Sequence, residues 1–512
     1  MTPGRGLGAR RILRAPWAWV ATLALLFTVL AVGTHRSNID YGDDFALYLR
    51  QAQAVMDGDV GRVVDANATM LRVDPGQPYA FSPTAYPWVT PLFFAPFVQL
   101  FGPTNWAALR LVVVGLMVLW IVAFTFLLRR RLPPPVAVLV AASVALALPY
   151  VAGTNSLLSE VPYLLVSTLF LLLLDRQSAH LLHPSWGQAW VTGAAACLVF
   201  NTRREGLAAV VAIAAMQLVA SRRGAARFTA ASARPYLSFA GAVIAFQALV
   251  PSALFPRYAG AGLGVAARKL WGPFRHAFSG LLGLGSGTTA AGTALILLAV
   301  LGVVLRLRKG EDVAIIAFVA ASTVIAASHP AMDPRYMMLA TPFVLAFAAV
   351  GMCWVGERLA APTWRLALPL VLLGALAAHG AIDSGQRVLE TRRANAAHEY
   401  LLGPGDPAED EAIQAVRDHT AHRDVVAFFK ARALTYLTDR PAIQTADLDT
   451  LLQEADYYLQ RYDHFTGPSG FSPFLGLLVL SDDDAAALGL TEVWRNDRWV
   501  LWRLPEPALP EG

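Results

Sequence analysis

The strongest constraint on this chain is a series of apolar stretches, each near the length of a membrane span, that follow one another from Pro16 to Ala381 with few charges inside them. A hydrocarbon layer about 30 Å thick takes about 20 apolar residues of helix. About eleven stretches approach that length: 16–33, 106–128, 134–151, 161–174, 189–201, 207–220, 235–255, 290–305, 313–327, 336–355 and 366–381. They predict a polytopic α-helical membrane protein. Composition agrees: 56% of residues are hydrophobic and 15% charged, against about 25% charged in a soluble domain. An ordinary water-soluble enzyme and a disordered chain are both excluded. The run Val89–Phe101 is also apolar, but its shortness and its Pro91 and Pro96 predict an interfacial or re-entrant helix.

Where the charges fall predicts topology. Arg10, Arg11 and Arg14 precede the first apolar run, which ends at Gly33-Thr34-His35-Arg36 without a small-residue cleavage site and so reads as a retained signal anchor. From a cytoplasmic N-terminus, Arg129 to Arg131, Arg222 and Arg223, Arg306 with Arg308 and Lys309, and Arg358 with Arg365 all fall in cytoplasmic loops. That is the bias of membrane proteins toward cytoplasmic Lys and Arg. The formal charge of +5 is therefore read as a topology signal in a cell (plasma or inner) membrane, and no nucleic-acid partner is expected. Cys197 and Cys353 lie within apolar runs and read as small buried hydrophobes. His329 and His379 have no second His at ligand spacing, so no metal is expected.

After Ala381 the chain becomes polar. Residues 1–382 are expected to form the membrane domain and residues 383–512 a small extracytoplasmic α/β domain. Its strand-like runs are 424–429, 456–459, 477–480 and 499–504, and amphipathic helices are expected at 408–417 and 447–454. The expected external pieces are the loop 34–105, turns at 152–160, 201–206 and 328–335, and a Gly-rich loop, 256–287, carrying Arg257, Arg268, Lys269 and Arg275.

Candidate chemistry gathers at those external pieces. Phe45, Tyr48, Leu49, Ala52, Val55 and Met56 form one helical stripe, with Asp44 placed at the N-cap and Gly58 after the end. A short one-sided helix after a span is expected to lie in the membrane interface and hold Asp43 and Asp44 at the surface. Glu160 opens another apolar run, Arg203, Arg204 and Glu205 interrupt a hairpin, and Asp333, Arg335 and Tyr336 form a third turn. Helix capping and snorkelling arginines account for each of these taken alone. Together they suit a lipid-borne phosphate held by arginine forks, with a carboxylate as general base on an acceptor hydroxyl.

The order of short motifs, Gly42-Asp43-Asp44-Phe45-Ala46-Leu47-Tyr48-Leu49, Tyr86-Pro87-Trp88 through Gly102, Ser159-Glu160, Thr202-Arg203-Arg204-Glu205-Gly206 and Arg335-Tyr336, resembles that of the GT-C glycosyltransferases. Within them it is similar to the protein O-mannosyltransferases and lipid A aminoarabinose transferases, over roughly Arg10 to Val355. The resemblance implies an inverting hexosyl- or pentosyltransferase that takes its sugar from a polyprenyl-phosphate donor. The acceptor would be the hydroxyl of a cell-envelope glycan, lipid or protein. It implies a catalytic Asp in the first external loop, matched by Asp44 with Asp43 as the neighbouring candidate and Tyr48 at the characteristic distance. Glu160, Arg203 or Arg204, Arg335 and Tyr336 match residues that bind donor phosphate or substrate. Phe45 stands where relatives often carry Glu, so the sequence does not support a divalent metal.

Other readings are a transporter or flippase of polyprenyl-linked sugars, an O-antigen-ligase-like enzyme and an idle scaffold. Acids at helix mouths rather than near the midplane favour surface chemistry over passage. An acidic loop that comes first rather than late in the chain separates it from the ligases. The sequon Asn67-Ala68-Thr69 carries little weight.

Overall fold

The computed structural model describes residues 7–73, 85–224, 227–252, 254, 272–284, 289–328, 333–359, 364–445, 447–461 and 478–505. Most of the expected loop 256–287, together with His329 and Leu477, lies outside the described residues. The first helices are α1 (Leu7–Gly33), α2 (Asp43–Asp57), α3 (Val60–Val73), α4 (Val89–Phe101) and α5 (Trp106–Leu128). They are followed by α6 (Pro134–Ala145), α7 (Leu148–Ala152), α8 (Glu160–Gln177), α9 (Trp186–Thr202), α10 (Ala208–Arg222) and α11 (Arg234–Leu249). Next come α12 (Gly272–Leu281), α13 (Thr289–Lys309), α14 (Val313–Ala327), α15 (Ala340–Leu359) and α16 (Trp364–Ala396).

Contacts divide the chain into two units. One comprises Met1–His35, Arg110–Leu249 and Arg257–Arg393; the other comprises Arg36–Leu109, Val250–Pro256 and Ala394–Gly512.

The first unit is a bundle of apolar helices, and each expected span contains helix, although 134–151 breaks at Leu146 and Ala147, 235–255 is helical only to Leu249, and 336–355 becomes α-helical at Ala340. Among the described residues, five helices are long and apolar enough to cross a membrane: Trp106–Leu128, Arg204–Arg222, Ala290–Lys309, Ala340–Arg358 and Leu366–Ala396. A sixth is the pair Pro134–Ala145 and Leu148–Asn155 taken together, bent by 63° at the break. Helices α9, α11 and α14, with 17, 16 and 15 residues, are shorter than a perpendicular crossing of the hydrocarbon requires. Local signals explain several ends. Ser185 caps α9 in a reciprocal pair with Gln188, donor and acceptor atoms lying 3.3 and 2.9 Å apart.

Helix α8 is the ruler of this unit. Its 18 residues span about 27 Å, close to the hydrocarbon thickness. At its first residue Glu160 meets Arg203, 2.7 Å away. Near its last turn Asp175 meets Arg131 at 2.7 Å, and Arg131 also holds Asp312 at 2.5 Å. Arg306 joins that second group, 2.7 Å from Glu311, and Arg223 donates to the Lys309 carbonyl. Three basic clusters that the sequence put in cytoplasmic loops thus share one end of the bundle.

Helices α13 and α15 touch backbone to backbone. A Cβ on Gly302 would lie 2.0 Å from the Phe347 carbonyl oxygen, and one on Gly351 would lie 2.2 Å from that of Leu298. Small residues are what permit such an approach between membrane helices, where dispersion rather than hydrophobic burial drives association.

The second unit joins the first loop to the C-terminal residues. Its later helices are α17 (Pro407–His419), α18 (Ala431–Thr438), α19 (Leu448–Glu454) and α20 (Asp482–Ala487). Five strands, β1 (Val426–Ala427), β2 (Ala442–Ile443), β3 (Tyr457–Arg461), β4 (Thr491–Arg495) and β5 (Trp499–Arg503), form one mixed sheet in the order β2-β1-β3-β5-β4. The β1 pairings are parallel and the β5 pairings antiparallel. The apolar run at Leu478–Leu480 stays outside the sheet, the Leu480 carbonyl accepting from Gln460 Nε2 at 2.8 Å. The N-cap Asp406 with Pro407 starts α17, and Asp447 starts α19 by accepting from the Thr450 amide at 2.8 Å.

The composition break at 382/383 falls inside α16, which continues to Ala396. Residues 36–41 belong with the C-terminal chain: Tyr41 N donates to the Leu402 carbonyl at 2.9 Å, and Asn38 Nδ2 to that of Leu401 at 2.7 Å. The Tyr41 ring meets Phe428 and Phe429 edge-on, each 5.5 Å away.

This arrangement revises the picture of α2 as a one-sided interfacial helix. Phe45, Tyr48, Leu49 and Ala52 are buried as expected, but so are Ala46, Leu47 and Ala54 on the other side. Helices α3, α4 and α18 pack around it. Part of the cover for the second apolar side comes from α18, far away in the sequence.

Beneath Tyr41, Glu409 is fully buried, with Oε1 accepting from Trp499 Nε1 at 3.0 Å. Burial pushes its carboxyl from 4.5 up to about 7. Between those values the folded state holds a proton that the unfolded chain has released, so stability is greatest at low pH and falls as pH rises through the window, by roughly 3 kcal/mol in all. The melting temperature is therefore expected to fall between about pH 5 and about pH 8, and Glu409→Gln to flatten that slope. Gly351→Val in α15 is expected to cost about 1–3 kcal/mol by overpacking, read as a lower melting temperature in detergent with little change at Gly374→Val, where a Cβ meets open space.

Candidate active site

Two groups of polar side chains stand out, one in each unit. In the first unit, the turn before α8, the break between α9 and α10, and the turn Pro334–Met337 bring Glu160, Arg203, Glu205, Arg335 and Tyr336 to one pocket. Arg203 Nη1 donates to Glu160 Oε1 at 2.7 Å and to Ser159 Oγ at 2.9 Å, and Nη2 donates to Glu205 Oε1 at 3.0 Å. Arg335 Nε lies 3.3 Å from Asp333 and 3.8 Å from Glu160. Both guanidinium groups rest over the Tyr336 ring, 5.5 and 5.4 Å from its centre.

The break that places Arg203 has a local cause. Gly206 sits where a Cβ would lie 2.3 Å from the Val199 carbonyl oxygen, so the chain can fold tightly back on the end of α9. Asp333 shapes the other turn by accepting from the Arg335 amide at 2.9 Å.

Three carboxylates face two guanidinium groups here, so the cluster is not a bare anion site. A phosphate would bind by exchanging with a carboxylate on an arginine fork, the geometry that suits both anions. Glu160 is 7% exposed, and its Oε2 is buried with no hydrogen-bond partner among the described residues. An unfilled buried acceptor costs about 1–3 kcal/mol, and a substrate hydroxyl would satisfy it. Adjoining this pocket is a cavity of about 420 Å³, mostly apolar, that shares Glu160, Arg335 and Met338 and is walled by Pro149, Val161 and Leu281.

In the second unit, α2 begins at Asp43 with Gly42 as its N-cap and no side-chain cap. Asp44 is therefore not the cap that its position in the sequence suggested. Its Oδ1 accepts from the Tyr86 hydroxyl at 2.5 Å. Asp43 opens the helix, and its side chain lies outside the described part of the structure. Asp44, Tyr48 and Gln51 follow at helical spacing, and Tyr86 lies along that stripe. Its ring stacks on Tyr48 at 4.9 Å, and its backbone exchanges two 3.0 Å hydrogen bonds with the Gln51 amide. Arg432 Nη1, from α18, donates to the same Tyr86 hydroxyl at 3.0 Å. Burial first, and the Asp44 charge second, hold the Tyr86 phenol well above its usual value, so it remains a donor.

Most of the expected residues thus fall into these two groups: Glu160, Arg203, Arg335 and Tyr336 in one, Asp44 and Tyr48 in the other. Arg204 joins neither; it turns back on α9, donating to the Phe200 carbonyl and Asn201 Oδ1 at 3.2 and 3.1 Å. Gln51 and Arg432 were not expected as site residues, and Tyr86 was expected only as the start of the motif stretch to Gly102, which the resemblance places along a substrate groove. The spacing of Gln51 seven positions after Asp44 was a usable signal, whereas Arg432 had none. Asn67 of the sequon is buried, which closes it to a glycan in the folded chain. Cys197 and Cys353 are buried as expected. Among the described residues, no His, Cys, Asp and Glu side chains gather as a metal site.

The Glu160–Arg203 pair makes a stability prediction. Removing one partner of a buried ion pair costs about 3–5 kcal/mol, whereas removing both can be nearly neutral. Glu160→Gln and Arg203→Gln are each expected to lower the melting temperature in detergent, and the double variant to recover only part of the loss, because Glu205 also loses its Arg203 partner.

No family model and no curated protein matches the chain. Solved structures are similar to it at low identity. ArnT from Cupriavidus metallidurans bound to undecaprenyl phosphate aligns over 97% of this chain and 98% of its own, with 13% identity and a TM-score of 0.49. Its apo state aligns over 95% and 98%, with 14% identity and a TM-score of 0.49. The archaeal oligosaccharyltransferase AglB from Archaeoglobus fulgidus, in complex with an inhibitory peptide and a dolichol-phosphate, aligns over 86% of this chain and 69% of its own, with 11% identity and a TM-score of 0.46.

Proposed function

We propose that this chain is an inverting glycosyltransferase that moves a sugar from a polyprenyl-phosphate donor to an acceptor hydroxyl at the extracytoplasmic face of the membrane. The observation that carries the reading is the apolar cavity of about 420 Å³ beside the pocket of Arg203 and Arg335. A lipid phosphate needs that pairing: room for a tail next to forks for the head group.

In this reading Arg335 and Arg203 take the donor phosphate, exchanging a carboxylate contact for a phosphate one. Glu160 Oε2 accepts from a sugar hydroxyl, and Tyr336 keeps the two cations in place. Asp44, or its neighbour Asp43, accepts the proton of the acceptor hydroxyl, and Tyr48 and Tyr86 fix where it points. The acceptor oxygen bonds to the anomeric carbon as the bond from that carbon to the phosphate oxygen breaks. The bonding pair leaves with the lipid phosphate, whose charge the arginines stabilise. Arg204, turned back on its own helix, is a support for the turn rather than a ligand.

The test uses purified protein in lipid vesicles with a polyprenyl-phosphate sugar carrying a radiolabel. Asp44→Asn is expected to abolish transfer while the protein stays folded and inserted. Arg335→Gln and Glu160→Gln are expected to lower kcat/KM by about a hundredfold or more, and Arg204→Lys to have a much smaller effect. Full turnover by Asp44→Asn would remove the base. Movement of the labelled lipid across the vesicle with no transfer to any acceptor would overturn the enzyme reading in favour of a flippase.

A further inference from the structure

The side chains around Asp44 assign a task to the C-terminal part of the chain, which carries no catalytic signature of its own. Arg432 is 4% exposed, and its Nη1 donates to the hydroxyl of Tyr86, 346 positions earlier, at 3.0 Å. Its guanidinium also lies over the Tyr86 ring, 5.3 Å from the centre. A phenol oxygen that accepts from a cation has its own proton turned elsewhere, and here that proton goes to Asp44 Oδ1 at 2.5 Å. The cation also polarises the O–H bond, which strengthens its donation to the carboxylate. Gln51 and Tyr48 hold the tyrosine backbone and ring, so the direction of donation is fixed.

We infer that Arg432 is a positioning residue for the Asp44 carboxylate, acting through the Tyr86 hydroxyl to fix its orientation and keep it ionised. The inference rests on the reading of Asp44 as the base. Donation to a carboxylate favours its charged form, so the relay keeps Asp44 ready to accept a proton at lower pH. On α2 itself, Arg50 is attracted by Asp439 and repelled by Arg62. Helix α4 carries no titratable side chain. On α3, Arg62 pairs with Asp439 at 3.0 Å and Asp65 is exposed. On α18, Tyr436 donates to the Pro103 carbonyl at 2.5 Å.

The test needs no substrate. Full-length protein in nanodiscs is titrated while the carboxyl infrared bands are followed, the Asp44 signal being isolated by subtracting Asp44→Asn spectra. Arg432→Gln and Tyr86→Phe are expected to shift the Asp44 midpoint upward, and Arg432→Lys to restore most of the original value. Tyr86→Phe removes a single oxygen and keeps the ring, so it serves if Arg432→Gln does not fold. A lower melting temperature with an unmoved midpoint in a folded variant would mean that Arg432 is structural only, and the inference fails. Asp44→Asn with full transfer would instead sink the reading of the base, while the infrared midpoint still judges the link from Arg432 to Asp44.

Discussion

A charge inside a hydrocarbon layer persists only with a partner, and α8 is built around that rule. It is apolar between its ends and ionic at both: Glu160 against Arg203 at one, Asp175 against Arg131 at the other. Desolvation makes each unpartnered ion cost several kcal/mol, so these pairs fix which helices meet at each end as firmly as packing does. Arg131 gathers Asp175 and Asp312 from two other segments, and Arg203 gathers Glu160 and Glu205. Placing ions only at the ends leaves the middle of the bundle to small-residue contacts such as Gly302 and Gly351.

The same rule explains why the pocket at the Glu160 end suits exchange better than capture. An arginine pair with no carboxylates would be costly when empty and would bind any anion tightly. With Glu160, Glu205 and Asp333 present, both guanidinium groups have carboxylates beside them. A phosphate then competes with carboxylates for the same forks, which trades affinity for reversible release. Such a balance suits the proposed reaction, in which a bare lipid phosphate would have to depart.

Much of this was legible in the sequence, and the gaps have physical causes. Helix positions follow from apolar run length, and Gly58 ends α2 in the left-handed conformation, as its place after the stripe suggested. Glu160, Arg203 and Arg335 were recognisable because charge is rare among such residues. Strands β2 and β4 were not: Ala442–Ile443 is too short for any period, and Thr491–Arg495 is mostly polar. Leu478–Leu480 looked like a strand because it is apolar, yet its backbone bonds to a side chain instead of a ladder. Asp44 reads as a cap in the sequence because the helix begins two residues before its stripe does, and capping is read from that boundary.

Arg432 could not have been found from the sequence, and the reason bears on how the second unit works. An arginine in a short helix of a polar domain normally faces water, and nothing within a few residues marks this one as buried. Its partner lies in the first loop, and the fold joins the two through backbone bonds such as Tyr41 to Leu402. The environment of Asp44 is thus assembled only when residues from both ends of the chain have folded together. Helix α2 alone could present Asp44, Tyr48 and Gln51 on one face, but without Tyr86 and Arg432 the carboxylate would have neither its short donor nor a cation behind it. Separating the Asp44 carboxylate from what orients it ties its environment, and any role it takes under the proposed function, to completed folding of the unit, a dependence that a locally encoded cap would not have created.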